Sequence, residues 1–221
     1  MTWPTKTDFV DGDVLSASQM NNIGSNLNVF NPTSATNGQV LTANGSGSAS
    51  YHTLPASGGW TSLASGNLNT LSSLDLQNIS QAYKNLHLIL VDWSTSANAI
   101  IYFRYNNLTS SSYAGYVWGS NGTGTGNITR TYGSALQAEL VHSAAEATGI
   151  DNFTHLWVHN YTNTTAHKVY GFETKYQFVG NYAVAMGNLT STQDTTAVSR
   201  LTVYPASGTF DAGTYILYGE N

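Results

Sequence analysis

From residue 60 to the C-terminus the chain is a succession of short runs of aromatic and β-branched residues, each closed by a cluster of turn formers. Runs this short, recurring at intervals of about 8 to 15 residues, leave no room for the amphipathic crossover helices of βαβ units, so the segment is confined to an all-β sandwich or barrel. The runs predict strands at 60–65, 68–76, 85–93, 98–106, 113–118, 135–142, 151–160, 167–178, 183–190, 197–204 and 213–219. Turn signals separate them at Thr95 to Asn98, Asn106-Asn107, the loop Gly119 to Asn127, Asn163 to Thr165, Gly180-Asn181, and Gly208 with Gly213. In 85–93, Leu86, Leu88 and Leu90 fall on one face and His87, Ile89 and Val91 on the other, the pattern of a central strand covered on both sides. Pro205 stands at a strand end, where no ladder donor is required.

Two other textures precede this β region. In residues 1–30, Ser16 three positions before Gln19 forms a capping box, and Met20, Ile23, Leu27 and Phe30 then follow at helical a/d spacing. Gly24 costs such a helix about 1 kcal/mol, and so short a helix is marginal alone. Its seam therefore needs a partner, either its own β domain or copies of itself in a short parallel bundle. Asn31-Pro32 ends it. Residues 31–59 are rich in Gly, Ser, Thr, Asn and Ala and carry no charge, which predicts an extended linker with Gln39 to Thr42 as its β-like island. Fully stretched, it would span roughly 90 Å at about 3.3 Å per residue.

Charge narrows the function classes. With 7 Lys and Arg against 12 Asp and Glu, 9% of the residues are charged, against about 25% in an ordinary soluble domain. Ser, Thr, Asn and Gly supply the polarity instead. The basic residues are scattered and make no phosphate-binding patch, which argues against nucleic acid. A hydrophobic content of 41% argues against disorder. No apolar run is long enough for a membrane helix, and the N-terminus lacks the layout of a secretory signal, so the expectation is a soluble protein made in a cytosol. Cysteine is absent, which removes disulfides, thiolate metal sites and a Cys nucleophile.

Catalytic and metal patterns are weak. His155 and His159 share a face of one predicted strand, but at about 13 Å apart they cannot bind one ion; cross-strand pairing remains the one route to a His site. Asp11-Gly12-Asp13 lacks the spaced ligands of a calcium loop, and no GxSxG elbow occurs. The expectation is no enzyme, no cofactor and no metal. The suggestive stretch is Tyr113, Tyr116 and Trp118 running into a glycine-rich loop with Asn121 and Asn127. Aromatic rings stack on apolar sugar faces while amides and hydroxyls read hydroxyls, so this stretch is a candidate glycan-binding site; alternatively its aromatics, which do not all share one face, partly fill the core. Trp93, at a strand end, is a second candidate.

Four segments resemble a C-terminal domain of tailed-bacteriophage fibre and other virion-surface proteins: LDLQNISQAYKNLHLIL (74–90), IIYFRYNNLTSSSYAGY (100–116), FTHLWVHNYTNTTAHK (153–168) and LTVYPASGTFDAGTYILYG (201–219). The distinctive parts are Arg104-Tyr105-Asn106 with Ser112-Tyr113, and the terminal Y-P-x-S-G-x-F-x-A-G-T-x-x-L-Y-G pattern. The opening DGDVLSASQMNNIGSNLN, running into NGQVLTANGSGSASY, is similar to the start of phage fibre proteins. The resemblance implies a virion protein, usually homotrimeric, with a β-sandwich or jelly-roll head, and it brings no catalytic residues. The combined expectation is an antiparallel jelly-roll-like sandwich head (60–221) on an extended linker (31–59), with a short helical anchor (1–30) holding other virion proteins or, through Met20, Ile23, Leu27 and Phe30, sister chains. The head would contact a host glycan as a tail fibre or adhesin; alternatively the protein decorates the capsid or completes a tail part without a receptor.

Overall fold

The computed structural model describes residues 17–18, 39–43, 49–53, 59–110, 112–120, 127–135, 137–141, 151–178, 181–192 and 194–221. The chain divides into two compact units, Met1–Ser57 and Gly58–Asn221.

In the first unit, β1 (Gln39–Ala43) and β2 (Ala49–Thr53) form an antiparallel hairpin that pairs Leu41 with Tyr51 and Val40 with His52. Part of the segment read as an extended linker is thus paired strand. The β-like island at Gln39 is one of its two strands; Ala49–Thr53 was hidden by the Gly and Ser around it. Ala17 and Ser18 are helical, while Met20, Ile23, Leu27 and Phe30 lie outside the described residues.

The second unit is the antiparallel all-β sandwich expected from the run pattern. Its strands are β3 (Trp60–Asn67), β4 (Leu74–Leu76), β5 (Asn85–Thr95), β6 (Ile101–Tyr105), β7 (Tyr113–Ser120), β8 (Asn127–Ala135), β9 (Ala138–Val141), β10 (Phe153–His159), β11 (Val169–Phe178), β12 (Asn181–Ser191), β13 (Leu201–Pro205) and β14 (Phe210–Glu220). One sheet has the order β3-β14-β5-β10-β11-β12-β7-β8 and the other β4-β13-β6-β9. The inner faces meet in one hydrophobic cluster. Leu86, Leu88 and Leu90 of β5 are at most 1% exposed, and burial of each contributes about 1.5–3 kcal/mol. Across the interface, Phe103 of β6 meets Tyr170 of β11 edge to face, with ring centroids 5.3 Å apart. β5 is central, between β14 and β10, but only its leucine face is wholly covered, since Ile89 and Val91 on the other face are half-buried.

Several strand limits differ from the sequence expectation, for identifiable reasons. The run 68–76 is mostly a crossing between sheets. Leu68 and Thr70 donate their amides to the carbonyls of Gly213 and Phe210, Thr70 takes a φ of 65°, and only Leu74–Leu76 pairs in the second sheet. β8 falls partly in the segment read as a glycine-rich loop and an unassigned stretch; the glycines before it masked the β-branched residues Ile128, Thr129 and Thr131. The expected strand 197–204 begins only at Leu201, because the backbone at 199 and 200 is held by the side chain of Asn106 instead: its Oδ1 accepts from the amides of Ser199 (2.9 Å) and Arg200 (3.2 Å). Among the described residues no helix is long and apolar enough to cross a membrane.

Candidate functional site

Strand register sets the outer face of the eight-stranded sheet as cross-strand ranks. One rank runs Tyr218, His87, Trp157, Gly171, Asn188, Tyr116, and the next Ile216, Ile89, His155, Glu173, Met186, Trp118. A third continues Thr214, Val91, Phe153, Lys175, Val184, Ser120. Among the described residues the exposed large hydrophobic ones are Trp60, Tyr116, Trp118, Val169, Tyr182, Val184 and Met186, and strand parity puts all of them on this face. A one-sided antiparallel sheet ordinarily turns polar residues to water. Here β12 is inverted: Ala183, Ala185 and Gly187 point to the core and Tyr182, Val184 and Met186 point out.

Gly171 breaks the first rank. A Cβ built there would lie 2.5 Å from ring atoms of Trp157, so the indole rests directly on the β11 backbone and presents its other face away from the sheet. Between this ring and the Tyr116 and Trp118 side chains lies a groove of about 370 Å³, lined also by Phe172, Met186, Gly187 and Asn188. A second depression of about 260 Å³ adjoins it across Met186 and is lined by Phe153, Glu173, Lys175 and Val184 among others.

Beside the groove stands a chain of polar groups. Glu220 accepts from Asn85 Nδ2 (2.8 Å), Trp60 Nε1 (3.3 Å) and His87 Nε2 (3.1 Å). His87 Nδ1 is 3.0 Å from His155 Nε2, and His155 Nδ1 is 3.9 Å from a Glu173 carboxylate oxygen. The pattern assigns the tautomers: His87 donates from Nε2 to Glu220 and accepts at Nδ1 from His155 Nε2–H. Trp60 stacks on His87 with centroids 4.1 Å apart, and His155 lies 5.1 Å from the Trp157 ring. The hydrogen bonds from His87, then Asn85 and Trp60, hold the Glu220 carboxyl down at about 2; burial, then the neighbouring His87, holds His155 below its ordinary value. The cross-strand histidine pair therefore exists, but its facing nitrogens bond each other. Among the described residues no group of three or more His, Cys, Asp or Glu is placed to hold a metal ion.

The sequence candidates separate. Tyr116 and Trp118, each 52% exposed, line the groove. Tyr113 does not: it is 0% exposed, and its hydroxyl accepts from the Tyr105 amide at 3.1 Å. Trp93 is likewise core, its Nε1 donating to Thr154 Oγ1 and its carbonyl accepting from Asn152. Period-two parity separates Tyr113 from the other two aromatics, and the register shift between Tyr113 and Gly115 leaves that parity intact. Asn121 lies outside the described residues, and Asn127 begins β8 opposite Ser120. Trp157, Met186, Asn188 and Gly171 were missed; the inverted size pattern of 182–188 was the signal for two of them. The distinctive family-like residues serve the fold, with Asn106 at φ 48° donating to the Ala197 carbonyl as well as holding the 199–200 backbone. Compared with protein-family models, curated proteins and solved structures, the chain matches none of them.

Proposed function

We propose that this chain is a virion structural protein of a tailed bacteriophage: a homotrimeric tail fibre or adhesin whose head contacts the host surface through a glycan. Residues 1–30 hold it to other virion proteins, and the head performs recognition without catalysis, cofactor or metal. The observation that carries this reading is the groove, where three aromatic side chains, Tyr116, Trp118 and Trp157, surround one amide, Asn188. C–H groups on the apolar face of a pyranose stack on the negative faces of such rings, and an amide both donates to and accepts from hydroxyls. The strand order supports the jelly-roll part of the reading. With β7–β8 and β11–β12 set aside, the sheets run β3-β14-β5-β10 and β4-β13-β6-β9, and the chain changes sheet at every step except β6 to β9, which pair with each other.

One observation favours a second reading, capsid decoration or a tail part without a receptor. The exposed apolar side chains extend past the groove to Trp60, Val169 and Tyr182, a spread that suits a protein contact as well as a glycan groove. A glycan array probed with the full-length protein separates the two. Binding that disappears in Trp118→Ala supports the adhesin; silence across the array at high avidity leaves the assembly role. Light scattering that gives a monomer at micromolar concentration removes the trimer from both.

A further inference from the structure

The charge around the groove is more selective than its shape. Among the described residues its lining contains no charged side chain. In the three ranks that build it and the adjoining depression, the carboxylate and the ammonium are Glu173 and Lys175, two residues apart on the same face of β11, so their fields cancel at a short distance. Three other basic groups of the head are engaged elsewhere. Arg200 is clamped by Asp75 at 2.6 Å, Arg104 donates to Gln137, and Lys168 is buried against backbone carbonyls. The whole chain has a net charge of -5, which repels a polyanion. An acidic polymer would therefore lose hydration on this apolar surface and gain no net counter-charge, since Glu173 offsets Lys175.

The two depressions share Met186 as a low ridge. Trp118 and Met186 face each other in register, and Glu173 and Lys175 lie beyond that ridge. One sugar ring stacked between Trp157 and Trp118 thus has a continuous path to a second position, where a carboxylate and an ammonium are available to hydroxyls. Resting on the glycan reading above, we infer that the ligand is an extended neutral polysaccharide that crosses Met186 and occupies both depressions, and that uronic, sialylated or phosphorylated polymers are excluded.

The test is affinity electrophoresis of the full-length protein in gels containing either neutral polymers (dextran, a β-glucan, mannan, galactan) or acidic ones (a polyuronate, polysialic acid, a teichoic-type polyphosphate), at low and high salt. The expected result is retardation by a neutral polymer, unchanged by salt. Trp118→Ala and Gly171→Val, which displaces the Trp157 ring, should each weaken it about tenfold or more, and Met186→Thr should weaken a long polymer more than a disaccharide of the same sugar. Folding of each variant is checked by near-ultraviolet circular dichroism, and Trp118→Ala stands if Gly171→Val fails that check. Retardation by an acidic polymer that fades with salt overturns the neutral assignment and leaves the groove a glycan site. Equal loss for disaccharide and polymer in Met186→Thr overturns the two-position path. No retardation by either class, together with a change of oligomeric state in Trp118→Ala, overturns the glycan reading itself and makes the face a contact between copies of the chain.

Discussion

Two tyrosines in one core cluster should respond in opposite directions to loss of their hydroxyls. Tyr113 and Tyr170 are both 0% exposed and meet edge to face, with ring centroids 6.1 Å apart. The Tyr113 hydroxyl accepts from the backbone amide of Tyr105 at 3.1 Å. The Tyr170 hydroxyl is buried with no hydrogen-bond partner among the described residues, and that burial pushes its ionisation far up. Tyr113→Phe keeps the ring and strands a buried N–H, a loss of about 1–3 kcal/mol. Tyr170→Phe also keeps the ring but removes a buried hydroxyl whose desolvation, about 1–3 kcal/mol, is offset by no bond; allowing for the small void left behind, the gain is about 1 kcal/mol.

With a slope of about 2 kcal/mol per molar, the urea midpoint should fall by about 1 M in Tyr113→Phe and rise by about half a molar in Tyr170→Phe, with the slope itself unchanged. Neither ring reaches the outer face, so polymer binding should match the parent in both. A Tyr170→Phe midpoint below that of the parent would show that the hydroxyl has a partner, and a neutral Tyr113→Phe would show that the Tyr105 amide does not depend on it. Either result refutes the reasoning.

Lys168 is 1% exposed, and its ammonium donates to the carbonyls of Asn163, Ala166 and Thr195; Lys168→Met retains the stem, leaves those carbonyls unpaired, and should cost about 2–4 kcal/mol in a denaturant melt. Acidification should weaken the head in two windows. His155 is held below 6.5, so the unfolded chain binds its proton first and stability is lost as pH falls below 6.5; Glu220 is held at about 2 against 4.5, so its contribution is present above 4.5 and lost between 4.5 and about 2. Thermal midpoints measured across both windows should decline in each, and Glu220→Gln should flatten only the more acidic one.

The sandwich was legible because its strands announce themselves locally: the alternation around Leu86, Leu88 and Leu90 needs no knowledge of neighbours to predict a buried face. What was not legible was which neighbour each outward residue meets. Trp157 and Tyr116 are 41 positions apart in the chain and share a rank only because β10, β11, β12 and β7 are adjacent. Gly171 is conspicuous only once Trp157 lies across it. Residue type and turn proximity do not encode the side of the sheet, so the sequence leaves Tyr113 open to a binding or a core reading and offers Trp93 as a binding candidate, and the structure buries both. The hairpin strand Ala49–Thr53 was obscured by composition, since its Gly- and Ser-rich surroundings carry little β propensity even though its partner β1 lies only five residues before it.

The two outer faces of the sandwich argue for where function lies. On the four-stranded sheet, Asp75 holds Arg200 through two bonds of 2.6 Å, the Arg104 guanidinium lies 5.1 Å from the Tyr204 ring centroid, and Gln137 accepts from both Arg104 and Tyr204. That face ties its charged side chains to partners on the same sheet and, through the Arg200 bond, keeps the Asp75 carboxyl below its ordinary value. The eight-stranded sheet does the reverse, turning Trp, Tyr, Met and Val outward from β7 and β12 while alanine and glycine of β12 face the core. Core stability gains little from that inversion, because the inward alanines bury less apolar area than the outward residues would. Solubility is reduced by it as well. A surface that serves neither fits the binding role proposed for it, and its three rings, one amide and cancelling charge pair match the uncharged, hydroxyl-rich chain of that proposal.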